Sequence, residues 1–105
     1  MHIFDIFEAW FLSMRNNFDA FNVNARFDRS PLERQKLSCS LNLQYNDHEV
    51  DLVIWESGEA ELISGSVNEL ADQLHYSDMQ NTSDLADIFA RMNYFMYQKV
   101  SRSQT

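Results

Sequence analysis

Between Leu37 and Tyr45, apolar and polar residues change places at every step. Leu37, Cys39, Leu41, Leu43 and Tyr45 fall on one side of an extended chain, and Ser38, Ser40, Asn42 and Gln44 fall on the other. A β-strand, with its two-residue repeat, sorts such a sequence onto two faces; a helix would scatter it. Asn46-Asp47-His48 supplies turn residues, after which Glu49 to Trp55 runs back with Val50, Leu52 and Ile54 on one face and Asp51, Val53 and Trp55 on the other. Glu56-Ser57-Gly58-Glu59 reads as a second tight turn in which Gly58 can take φ > 0, and Ala60 to Ser64 follows as a third strand. An antiparallel meander of this kind needs something to cover its apolar side.

The two ends of the chain carry that cover. Phe4, Phe7, Phe11, Met14, Phe18 and Phe21 recur at alternating spacings of three and four, which places them on one face of a helix of about five turns. Ile3, Ile6 and Trp10 widen the stripe, while Asp5, Glu8, Arg15, Asn16 and Asp19 fall on polar ground. Near the other end, Asn81, Thr82 or Ser83 can cap a helix with Leu85, Ile88, Phe89, Met92, Phe95, Met96 and Val100 at helical spacing. Asp84 and Asp87 lie in its first turns and Arg91, Lys99 and Arg102 towards its end, as the helix dipole favours.

Two connecting stretches are less regular. Asn22 to Phe27 alternates, with Val23, Ala25 and Phe27 on one side, and predicts a short strand. Ser30-Pro31-Leu32-Glu33 has the form of a capping box, but the strand at Leu37 follows so soon that one turn at most can form, and a structured connection is expected. From Gly65 to Gln80 the pattern supports two structures: Val67, Leu70, Ala71 and Leu74 suit a helix, whereas Ser66, Asn68 and Tyr76-Ser77 suit a loop or a fourth strand. The expected fold is α+β: a three- to four-stranded antiparallel meander with N-terminal and C-terminal helices packed on one face. Residues 1–100 form one domain in this reading, and 101–105 a flexible tail.

Charge is distributed as unevenly as hydrophobicity. Leu37 to Ala90 contains eleven carboxylates and no Lys or Arg, whereas the first thirty-six residues balance five acids against five bases, so the net charge of −8 arises from one contiguous stretch. A surface with that bias repels nucleic acid and anionic lipid and steers a basic partner towards itself. The 45% hydrophobic content supplies a core and argues against disorder. A lone Cys39 excludes an internal disulfide and suits the cytosol. Asp5 and Glu8 interrupt the apolar N-terminus, which therefore makes a poor signal peptide, and no run reaches the roughly 18 apolar residues of a membrane span.

Catalytic and metal chemistry find little support. Asp47, Glu49 and Asp51 alternate like the opening of a calcium loop, but Leu52 stands where that loop needs glycine and Gly58 where it needs the bidentate glutamate. His2, His48 and His75 lie far apart, without partners at zinc-ligand spacing. Cys39 is in phase with Leu37 and Leu41 and reads as a small core residue. Ser57 lacks the first glycine of a nucleophile elbow and sits between antiparallel strands. With only Gly58 and Gly65 there is no phosphate-binding loop, and no basic patch is present to displace counterions from nucleic acid. No cofactor and no enzymatic activity are expected; protein binding remains.

Trp55 has two readings at this level. It packs beneath the N-terminal helix, or it stands on the opposite face as an aromatic anchor ringed by acids, the kind of residue that dominates an interface. Phe7-Glu8-Ala9-Trp10-Phe11, the segment Leu52-Val53-Ile54-Trp55-Glu56-Ser57-Gly58-Glu59-Ala60-Glu61-Leu62 and the acidic closing helix together resemble the TriTu family of small bacterial immunity proteins. Members of that family neutralise toxin domains of contact-dependent growth inhibition and related polymorphic toxin systems. The resemblance implies a cytoplasmic inhibitor without turnover whose target is a basic transfer-RNA-cleaving nuclease, with elongation factor Tu as a further member of the assembly. The expected toxin-binding residues are Asp51, Trp55, Glu56, Glu59 and Glu61, with Asp47 and Glu49 as rim, on a monomer. A secretion-type chaperone, also small, acidic and α+β, is the alternative; it would bind extended peptide and form a dimer.

Overall fold

A computed structural model describes residues 3–31, 36–66, 69–78 and 82–100. The first helix, α1 (Ile3–Ala20), buries Ile3, Phe4, Phe7 and Phe18, with Ile6, Trp10, Phe11 and Met14 packed partly against the core. Its end follows from Asn22. Asn22 adopts φ 59, its N–H donates to the Asp19 carbonyl at 3.3 Å, and the Val23 N–H donates to the Phe18 carbonyl at 2.8 Å. These paired bonds, with an asparagine in the left-handed region and an apolar contact across it, form a Schellman motif. Val23 is accordingly buried beside Phe18, and the first strand, β1 (Asn24–Arg29), starts two residues later than the alternation suggested.

Four more strands follow: β2 (Ser38–Tyr45), β3 (His48–Trp55), β4 (Ala60–Ser66) and β5 (Glu69–Tyr76). They form one antiparallel sheet in chain order, β1-β2-β3-β4-β5. The expected three to four strands are therefore five. The ambiguous stretch after Gly65 extends the sheet because Leu74 comes opposite Leu62 and Tyr76 opposite Ala60. In that register two apolar side chains complete rows that helical winding would have turned away. An irregularity between Ser64 and Ser66 shifts the pairing just before the connection. The Ser30–Glu33 capping box falls partly on residues 32–35, and the flexible tail on 101–105; both lie outside the described residues.

One face of the sheet holds the core. Leu41, Leu43, Val50, Leu52, Ile54, Ala60 and Leu62 are buried there, under α1 and the second helix, α2 (Thr82–Tyr94). A π-helical segment, Phe95–Val100, continues α2 and buries Phe95 and Met96. The helices meet over the sheet where Phe7 stacks on Phe89 at 5.0 Å and Trp10 approaches the same ring at 6.1 Å. At the β1 edge, Arg29 comes opposite Cys39 in the core-facing phase and donates to Asp5 (2.9 Å) and Glu8 (3.3 Å) of α1. At the β5 edge, the Tyr76 hydroxyl donates to Asp87 of α2. Each edge strand is thus tied to the helix above it.

Candidate functional site: the open face of the sheet

Because helices take one face, every second side chain of the strands points the other way, and among the described residues no element covers that side. The register assembles it in rows. Arg26, Asn42, Asp51, Ile63 and Gln73 lie side by side across the strands, and the next row runs Asp28, Ser40, Val53, Glu61 and His75. Asp51 and Glu61 come from neighbouring rows on adjacent strands and are diagonal neighbours, a separation of about 7–8 Å between such positions. Ile63 is an exposed hydrophobic residue between them and the β5 edge. Apolar Val53 and Ile63 are thus set among carboxylates.

Trp55 ends the β3 side of this face, opposite Ser38 of β2. The reading that packs it beneath the N-terminal helix is overturned: α1 and α2 cover the Val50, Leu52 and Ile54 side, and the indole is half-buried on the other. Its position is fixed by the turn that follows. The Gly58 N–H donates to the Trp55 carbonyl at 2.9 Å and the Trp55 N–H to the Glu59 carbonyl at 2.9 Å, with Gly58 at φ 98. This three-residue loop requires the left-handed residue that glycine supplies without steric cost. Ser57 serves the same turn, its Oγ accepting from the Glu59 N–H at 3.4 Å.

The structure divides the expected binding residues into two groups. Trp55, Glu59 and Glu61 share the outward phase at the β3–β4 turn, with Glu56 exposed within it, while Asp51 has the same phase at mid-strand, about 13 Å before Trp55. Glu49 also points outward but sits opposite Gly65 and accepts from Gln44 Nε2 at 2.8 Å. Asp47 lies in the β2–β3 loop, 3.8 Å from His48 Nε2. Trp55 lies six steps along extended strand from Glu49, about 20 Å, so Asp47 and Glu49 occupy the far end of the sheet.

Lys36 was absent from the expected site. Its ammonium lies 5.4 Å from the centre of the Trp55 ring and 4.0 Å from Glu59 Oε1. His75 also joins the face, with Nδ1 3.8 Å from Glu61 Oε1. The strand phase of Leu37–Tyr45 could have placed Lys36, which extends the Ser38, Ser40, Asn42 series backwards by one step.

Other chemistry-bearing groups have structural surroundings. Cys39 is buried in the core, and that burial pushes its thiol up to about 12, so it holds no thiolate at neutral pH. Asp87 is held below the usual carboxylate range, first by the Tyr76 hydroxyl and then by Arg91, whose Nε lies 2.8 Å away. A cleft of about 510 Å³ opens on the helix side, between the β3–β5 strands and the end of α2, with Leu62, Leu74 and Phe95 among its apolar walls and Asp72 and Arg91 at its rim. Among the described residues, no three His, Cys, Asp or Glu side chains converge to hold a metal ion, and no helix is long and apolar enough to cross a membrane. No known protein-family model, curated protein or solved structure matches the chain.

Proposed function

We propose that this protein is a stoichiometric inhibitor, an immunity protein resembling the TriTu family, which binds a basic nuclease toxin domain through the open face of its sheet. The observation that carries this reading is the sheet face, covered by no described element, that carries Asp51, Glu59 and Glu61 together with Trp55, Val53 and Ile63. A folded partner needs a contact of this composition: apolar and aromatic side chains at its centre, with charges around them that set orientation and encounter rate. An RNA-cleaving domain must be basic to hold its substrate, so an acidic face can occupy the same groove that RNA would. The inhibitor acts as a cytoplasmic monomer, without cofactor or turnover, and elongation factor Tu is the third partner that the family resemblance implies.

The test begins with the gene immediately upstream, which should encode a large exported protein ending in a basic domain. Titrating this chain into that purified domain should abolish RNA cleavage at equimolar ratio, with no further loss on incubation. Trp55→Ala should weaken binding by about 2 kcal/mol or more, the range of a central aromatic hot spot. Residual cleavage at large excess would contradict inhibition. A dimer that prefers extended peptides to the folded domain would establish the chaperone instead.

A further inference from the structure

The basic partner's contact can be specified further, on the premise that the partner is a basic protein as proposed above. We propose that Trp55 and Glu59 form a receptor for a cationic side chain, preferentially arginine, of that partner, and that Lys36 fills the receptor in the free protein.

A cation already stands in this position. The Lys36 ammonium lies over the indole at 5.4 Å, within the range of a cation–π contact, and reaches Glu59 Oε1 at 4.0 Å. The backbone that carries both walls of the receptor is held by hydrogen bonds: Trp55 N–H to the Glu59 carbonyl, and Glu56 N–H to the Leu37 carbonyl, each at 2.9 Å. The second bond holds the chain next to Lys36 against the turn, so the aromatic ring, the carboxylate and the lysine stem are brought together by the sheet register.

Lys36 fills the position weakly. Its side chain remains 52% exposed and Glu59 45% exposed, and its distance to the carboxylate is at the outer limit of an ion pair. An ammonium is strongly hydrated and meets a carboxylate as a point charge. A guanidinium is planar and less hydrated, so it can lie flat on the indole and direct two N–H groups to Glu59. Lys36 is also the last base before a stretch of acids that runs to Ala90 without another Lys or Arg, so its displacement leaves the receptor with no second internal competitor in that window.

Hexa-arginine is the probe, titrated at low salt into the whole protein and followed by calorimetry and by the indole N–H resonances of Trp55 and Trp10. Lys36→Gln should bind the peptide roughly two- to fivefold more tightly, the scale of an exposed cation–π contact, and the Trp55 resonance should saturate at correspondingly lower peptide concentration. Arg26→Gln removes the same charge from the same face, at β1, and measures the general electrostatic gain. In a Trp55→Leu background the Lys36→Gln gain should fall to that of Arg26→Gln, a coupling that charge alone does not produce. Equal gains for Lys36→Gln with Trp55 and with Leu, or a Trp55 resonance that saturates at the same concentration in wild type and Lys36→Gln, would overturn the receptor while leaving the basic partner standing. A peptide that binds none of the variants would remove the basic-partner reading itself.

Discussion

Tyr76 and Asp87 show how much a single pair contributes to holding this molecule together. The tyrosine ends β5, its hydroxyl donates to the carboxylate on α2, and Arg91 approaches the same carboxylate from one turn further on. Tyr76→Phe should cost about 1 kcal/mol in urea unfolding at neutral pH, the net value of one hydrogen bond. The pH dependence has two signs. Asp87 is depressed in the folded state, so its contribution is complete above the unfolded carboxylate pKa and disappears as pH falls through the lowered folded value. Tyr76 is raised from 10.0 to about 12, chiefly by burial and then by Asp87, so its contribution is complete below its ordinary pKa and disappears as pH climbs towards 12. The difference between wild type and Tyr76→Phe should therefore narrow at both extremes. Residues of this kind were legible only where a repeat placed them. Cys39 was read as core from its phase, but Trp55 had two readings because a strand residue's outward or inward fate depends on which side the helices take. Lys36 was missed because the stretch without bases begins at Leu37, one residue after the lysine that shares its surface.

Elements whose two faces differ strongly in polarity were legible, and those whose faces do not were ambiguous. β2 alternates without interruption and β3 does so as far as Leu52, so their register follows from the sequence: Leu41 opposite Leu52, Leu43 opposite Val50. β5 lacks that contrast. Its Leu74 fits a helical stripe with Leu70 as well as it fits a strand, and only the neighbouring β4 decides between them by offering Leu62 as a partner. The end of α1 illustrates a related limit, since Asn22 looked like the first polar residue of a strand and is instead the left-handed cap of the helix. Asn22→Ala should destabilise the protein by about 1 kcal/mol, the cost of placing a β-carbon in that region, whereas Asn22→Gly should leave it nearly unchanged. Thermal melts of both variants distinguish this from a strand-start role, in which glycine would be the more harmful substitution.

At the scale of the whole molecule, the helices cover one face of the sheet, where the core lies, and among the described residues no element covers the other. The charge follows the same division in part. Asp84 and Asp87 belong to α2, where a helix N-terminus and Tyr76 account for them, while Asp51, Glu59 and Glu61 lie on the sheet face that carries Trp55. If the protein acts as proposed, position on this face governs capture of a basic toxin domain, beyond the chain's net charge. Glu61→Lys on the open face and Asp19→Lys on α1 change the net charge equally, so their association rates with the upstream-encoded basic domain, measured over a salt series, separate position from total charge. Glu61→Lys should slow association by about tenfold at low salt and flatten its salt dependence, while Asp19→Lys stays close to wild type. Equal slowing by both variants, or none by Glu61→Lys, would show that the open face does not govern capture.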